Sequence, residues 1–258
     1  MPIYTRRTFL AFAPLAGLVP VRQGPPAGAA ADTFPSHPPA LVREMVGVSH
    51  GNVARVKQLV TDRPALARAA WDWGYGDYET ALGASSHVGN QEIAAILIAN
   101  GAHPTIFSAA MLGQLDVVKA FVAATPGIQR TRGPHGISLL SHAKAGKASA
   151  VVAYLESLGD ADPRYPSEPL DAAAAAELAG VYSFGPGATA RLIVSTTPRG
   201  GLAIKREGAS ERGLAHHGGR VFNPVGAEAV RIRFEPATGR AQTVTVEDGA
   251  ERLTARLT

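Results

Sequence analysis

The stretch Thr80-Ala81-Leu82-Gly83-Ala84-Ser85-Ser86-His87-Val88-Gly89-Asn90, continuing as QEIAAILIANGAHP to Pro104, decides the fold. Thr80 carries the side chain of a helix N-cap, placed just ahead of a short run of helix formers. Gly89 supplies the turn to a second helix, since glycine enters the left-handed region at little cost. Behind it, Ile93, Ile96 and Leu97 recur at spacings of three and four, the buried stripe of that helix. Gly101-Ala102 closes the unit.

Weaker copies flank it. Gly51 precedes NVARVKQLV, with Val53, Val56, Leu59 and Val60 on one face. Gly113 lies in Phe107-SAAMLGQLDVVKAFV, with Leu115, Val118, Phe121 and Val122 behind it. A fourth copy aligns Ser138, Leu140, Val151, Val152, Leu155 and Gly159, with its central Gly146 one place early. This pattern resembles the ankyrin repeat, with its T-P-L-H-x-A-A-x-x-G opening, second amphipathic helix and G-A finger. The interval from Gly51 to Gly89 is 38 residues and from Gly89 to Gly113 is 24, against about 33 in that family. The resemblance covers residues 39–163 and implies an α-solenoid of about four repeats, a recognition scaffold that binds through its fingers and concave face.

Two fingers are candidate contact surfaces. Trp71-Asp72-Trp73-Gly74-Tyr75-Gly76-Asp77-Tyr78 holds both tryptophans of the chain and two of its six tyrosines. Trp71, Trp73, Tyr75 and Tyr78 have the composition of an interface hot spot, or else pack on neighbouring helices to close the long first interval. Arg130-Thr131-Arg132-Gly133-Pro134-His135-Gly136 offers Arg130, Arg132 and His135 to an oxyanion, or else presents solvated arginines with His135 capping the next helix. His87 and Met111 share a late position of the first helix. The apolar Val88 and Leu112 that follow suggest a covered concave surface, met by a partner or by the C-terminal domain.

After Asp162-Pro163 the texture changes. Leu170-DAAAAAELAG reads as a short helix ended by Gly180. Eight short alternating segments follow, VYSF, ARLIVST, LAIKRE, RGLAHH, RVFN, EAVRIRFE, AQTVTVE and ERLTARL, separated by Gly-rich turns. In EAVRIRFE, Val230, Ile232 and Phe234 face one way while Arg231 and Arg233 face the other. Such one-sided alternation predicts an antiparallel meander, a small barrel or curved sheet, filled by its own side chains. The segment looks like the small β modules appended to exported hydrolases, whose L-x-G-x-Y entry Leu178-AGVY matches; that likeness implies fold only.

The N-terminus carries an address. Thr5-Arg6-Arg7-Thr8-Phe9-Leu10 resembles the twin-arginine export motif, and Arg6 and Arg7 are its core. A mild apolar run from Phe9 to Val21 follows, too short to cross a bilayer comfortably, then a small-residue cleavage region at Ala29–Ala31. Three of the 25 basic residues fall in the first 31 positions, which hold no acid, leaving 22 basic against 21 acidic residues beyond. The net charge of +4 therefore makes no case for nucleic acid. With no cysteine, disulfides, thiolate metal sites and a cysteine nucleophile are excluded.

Motifs for chemistry are missing: there is no G-x-S-x-G, H-E-x-x-H or EF-hand loop. His216-His217 are adjacent strand residues and point to opposite faces. The expectation is an α + β chain in separate domains. It comprises a signal peptide (1–31), a linker (32–38), an ankyrin array (39–163), a linker with a short helix (164–179) and a β domain (180–258). Its expected role is a non-enzymatic scaffold, periplasmic or otherwise exported, that binds a cell-envelope protein, with no catalytic residues, no cofactor, no metal, no integral membrane span in the mature chain and no nucleic-acid partner. The alternative is a small-ligand or lipid-binding protein that uses the β domain, with the array as dock. Packing of the array on the β domain is a further possibility within that scheme.

Overall fold

The computed structural model describes residues 36–163, 166–187, 190–206 and 211–258. The export segment, with Arg6 and Arg7, lies outside the described residues. Residues 37–258 form one compact unit.

Its first half contains four helix pairs: α1 (Pro39–Val48) with α2 (Val53–Asp62), α3 (Ala81–His87) with α4 (Gln91–Ala99), α5 (Ile106–Met111) with α6 (Leu115–Ala124), and α7 (Leu139–Ala145) with α8 (Ser149–Ser157). Helices of six or seven residues are unstable alone, so caps and packing hold them. Thr80 accepts the Gly83 amide at 2.9 Å, Thr105 and Ser108 form a reciprocal capping box, and Ser138 accepts the Ser141 amide. Each such cap contributes about 1 kcal/mol. A two-stranded hairpin, β1 (Ala70–Asp72) and β2 (Tyr78–Thr80), fills the long interval between the first two pairs.

The second half is a closed antiparallel barrel of eight strands among the described residues: β3 (Gly180–Ser183), β4 (Arg191–Thr196), β5 (Leu202–Arg206), β6 (Arg212–His216), β7 (Val221–Pro224), β8 (Arg231–Glu235), β9 (Thr243–Asp248) and β10 (Glu251–Leu257). Each strand pairs with its chain neighbours, and β10 returns to β3 through Leu257 opposite Tyr182. The eight alternating segments of the sequence are these strands. The inner face carries Tyr182, Leu192, Phe222, Ile232 and Phe234, all buried. Short α9 (Ala172–Leu178) joins this core through Ala175 and Leu178, and the Tyr182 hydroxyl donates to the Leu178 carbonyl at 2.7 Å.

The expected fold class, an ankyrin-type solenoid followed by a separate β domain, is corrected on two counts. In a solenoid each unit touches only its neighbours. Here α3 packs on both α5 and α7, and Gln91 Nε2 at the start of α4 donates to the Gly146 carbonyl after α7 at 3.0 Å. Gly89 comes so close to α7 that a Cβ added there would lie 2.1 Å from the Ala145 carbonyl oxygen. The helical half thus packs beyond adjacent pairs, and its buried apolar residues divide into two clusters, one centred on the first two pairs and one on the last two. Nor are the two halves separate. Arg212 on β6 donates to Asp77 Oδ2 at 2.5 Å and to the Gly74 carbonyl at 3.1 Å. A Cβ on Gly226 would fall 2.8 Å from the Gly136 amide nitrogen. Backbone meets backbone at this seam.

Candidate functional site

The β1–β2 hairpin and its neighbours build the site. In the hairpin Trp71 pairs with Glu79, and the pleat that exposes Tyr78 and Thr80 turns Glu79 inward, where it is fully buried. A buried carboxylate needs partners, and three imidazoles supply them. Glu79 Oε1 lies 2.9 Å from His87 Nε2, 3.4 Å from His135 Nε2 and 3.6 Å from His50 Nε2. His87 is the last residue of α3, His50 sits in the turn after α1, and His135 lies in the turn Pro134–Gly136. His50 Nε2 and His87 Nε2 are 3.1 Å apart, one donating and the other accepting.

A second ring of contacts holds these four side chains. Glu79 Oε2 accepts the Trp73 indole N–H at 2.7 Å. His50 Nδ1 donates to the Gly47 carbonyl at 3.0 Å. Asp77 grips His135 twice, accepting its backbone amide on Oδ1 at 2.9 Å and its Nδ1–H on Oδ2 at 2.7 Å. That grip matters because His135 has φ 59°, a left-handed conformation that costs a non-glycine residue about 1 kcal/mol or more.

The electrostatics follow from this packing. Burial would raise the Glu79 carboxyl, but hydrogen bonds from His135 and His87 outweigh it and hold its pKa at about 2. Burial would likewise discharge His135, yet the hydrogen bonds to Asp77 and Glu79 prevail and lift it to about 9. Asp77 is lowered as well: burial opposes ionisation, and the His135 hydrogen bonds and the Arg212 charge overcome it. His142, packed on Phe107 with ring centroids 4.9 Å apart, is pushed down to about 4 by burial, which outweighs its hydrogen bond to the Ser138 carbonyl and the charge of Glu79.

Against this cluster, at one end of the barrel, lies a cavity of about 760 Å³. Its inner wall is apolar, from Leu192 of β4, Ile204 of β5 and Val246 of β9, with Phe184 and Tyr75 beside them. Arg206 and Arg212 continue the inward series of β5 and β6 to the rim, where Glu211 also stands. Tyr75 lies under the Arg212 guanidinium, 5.8 Å from the ring centroid, and burial raises its phenol. Trp73 and His135 complete the mouth, so His135 belongs to both cavity and cluster. The expectation of a barrel filled by its own side chains fails at this end, where Arg212 turns to Asp77 and the Gly74 carbonyl.

The structure brings together part of what the sequence singled out. Trp73, Tyr75, His87 and His135 converge on the site. Trp71 and Leu112 pack half-buried against the core of the first two helix pairs, and Met111 is fully buried in it. Met111 is therefore a packing residue, because α5 turns it into the seam between pairs. Tyr78 is 68% exposed and stands away from the cluster. Arg130 pairs with Asp160 at 2.8 Å on the surface. Arg132 donates to the Gly136 carbonyl at 2.8 Å and to the Pro163 carbonyl, fixing the turn that carries His135. His135 caps no helix; Ser138 does that. His216 and His217 part as expected, one to the carbonyls of Pro169 and Gly219, the other to Asn223.

Sequence reasoning missed His50, Asp77 and Glu79. A signal was present: Asp77 and Glu79 are two apart, so an extended strand puts both on one face. Two acids on one face of an aromatic-rich hairpin need cationic partners when that hairpin packs. No protein-family model and no curated protein matches this chain. Among solved structures, the crystal structure of SurE is similar over 44% of this chain and 27% of that chain, at 25% identity and a TM-score of 0.25. This chain thus spans little more than a quarter of that one, and so slight a likeness carries no argument about activity.

Proposed function

We propose that the protein binds an amphipathic small molecule in the barrel mouth, its apolar body against Leu192, Ile204 and Val246 and its anionic head toward Arg206. The observation that carries this reading is the cavity of about 760 Å³, within the range of small-molecule sites and lined by Leu192, Ile204 and Val246 with Arg206 and Arg212 among its few charged groups. Protein recognition by the fingers has less to stand on. Trp71, Met111 and His135 are engaged inside the molecule, and Tyr78 and Arg130 do not form one patch with them.

Calorimetric titration of the full chain with dodecanoate tests the reading. Saturable binding to one site is expected, with Ile204→Phe filling the cavity and abolishing it. Arg206→Gln should weaken dodecanoate roughly tenfold while leaving dodecanol unchanged, the loss of one charge-assisted hydrogen bond. Absence of saturable heat, or an Ile204→Phe chain that binds as tightly as the parent, sinks the proposal.

A further inference from the structure

We infer that His50, His87, His135 and Glu79 form a binding site for a divalent transition-metal ion of the zinc class. This inference stands whether or not the barrel mouth takes a ligand. One donor atom from each residue, three imidazole nitrogens and one carboxylate oxygen, all lie within 4.8 Å of one another. Bonds of about 2.0–2.1 Å in a tetrahedron set its ligand atoms about 3.3 Å apart. Four of the six edges of this cluster are 2.9, 3.1, 3.4 and 3.6 Å and the other two are within 4.8 Å, so an ion fits at its centre once the ligands draw together.

The chemistry of the donors selects the ion. Three imidazoles with one carboxylate suit zinc, cobalt, nickel or iron, whereas magnesium and calcium prefer all-oxygen shells. Charge agrees, because the buried carboxylate supplies the anion that a dication requires.

The outer contacts are those of a metal site. A ligating histidine donates its second N–H to a carbonyl or carboxylate, which leaves the other nitrogen's lone pair toward the ion. His50 does so to Gly47 and His135 to Asp77. Glu79 places Oε1 among the imidazoles and gives Oε2 to Trp73. A simple ion pair between Glu79 and one histidine would explain one contact. It does not explain three Nε2 atoms on the same oxygen, or the outer partners fixing which nitrogen points inward.

Equilibrium dialysis of the chelator-treated full chain against zinc, with metal content measured after desalting, provides the test. Cobalt serves as the spectroscopic probe and Trp73 emission as a second reporter. One equivalent of zinc is expected, a tetrahedral cobalt spectrum, and a higher melting temperature with zinc. His50→Ala is the diagnostic variant, because His50 is half-exposed in a turn and stands farther from Glu79 Oε1 than His87 and His135 do. It should weaken zinc at least tenfold while the metal-free chain still unfolds in one cooperative transition. Asp77→Asn, which acts through His135, should cost about 10- to 100-fold. His217→Ala should bind zinc as the parent does. The inference is overturned by a chain that retains no stoichiometric zinc, by one that prefers magnesium or calcium, or by a His50→Ala chain that binds zinc as tightly as the parent.

Discussion

Two sets of histidines in this molecule teach opposite lessons. His216 and His217 are adjacent in the barrel and invite attention in the sequence, yet they diverge. His216 stacks on Phe222 with ring centroids 4.8 Å apart and is pinned to two backbone carbonyls, while His217 reaches Asn223. His50 and His87 come from two different helix pairs and His135 from the turn before the fourth, and they meet on one carboxylate oxygen. Adjacency along a strand separates side chains, whereas helix pairs stacked against a hairpin gather them. The barrel pair is held locally and the helical trio cooperatively.

The largest expected difference is energetic. Replacing Glu79 by Ala leaves His135 charged and under-paired in a buried site, at a cost of about 3–5 kcal/mol in the unfolding free energy. A double-mutant cycle across Glu79 and His87 should give a coupling above about 1 kcal/mol, while one across His216 and His217 stays within about 0.5 kcal/mol. Equal couplings, measured by denaturant unfolding, would erase the contrast.

Acid provides the next test. His142 lies near the trio but faces Phe107, and its Nε2 is buried without a partner among the described residues. Its folded pKa of about 4 lies below the ordinary 6.5, so the unfolded chain binds the proton more readily. Stability from its neutral form is therefore full above pH 6.5 and is lost as the pH falls through 4, on the order of 3 kcal/mol. His142→Leu should flatten the unfolding free energy across that window. An unchanged pH slope would mean that other groups carry the acid sensitivity. The trio differs in sign: His135 contributes below pH 6.5 and loses its contribution as the pH rises through about 9.

The smallest effect concerns how the trio is aimed. Thr80→Ala removes the cap of α3, which should cost about 1 kcal/mol and weaken zinc a fewfold, because His87 ends that helix. Removal of the cap with no change in either quantity would show that packing alone positions His87.

Much of the fold was legible because its signals are local. Thr80 and Ser138 cap helices where a hydroxyl precedes an apolar stripe, and Gly89 turns the chain with φ 74°. Alternation gave the barrel strands, down to Val230, Ile232 and Phe234 buried opposite the half-buried Arg231 and exposed Arg233. What was not legible is long-range. Nothing local in Gln91 says that it will reach Gly146, and it is such contacts beyond adjacent pairs that separate the helical half from a solenoid. The candidate site was half-visible for the same reason. His135 and Trp73 stood out by their residue type and loop composition, but Glu79 acquires its role only when three distant imidazoles arrive around it.

The absence of cysteine gives this cluster a further consequence. A chain without thiols has no covalent means of joining distant segments, and its unfolded ensemble is correspondingly unrestrained. An ion held from His50 to His135 acts as a reversible cross-link, closing a loop that spans most of the helical half. It would favour the folded chain by restricting the unfolded one and by binding only where all four ligands are assembled. The staple would open with a chelator rather than with a reductant, so the redox state of the surroundings would leave it untouched.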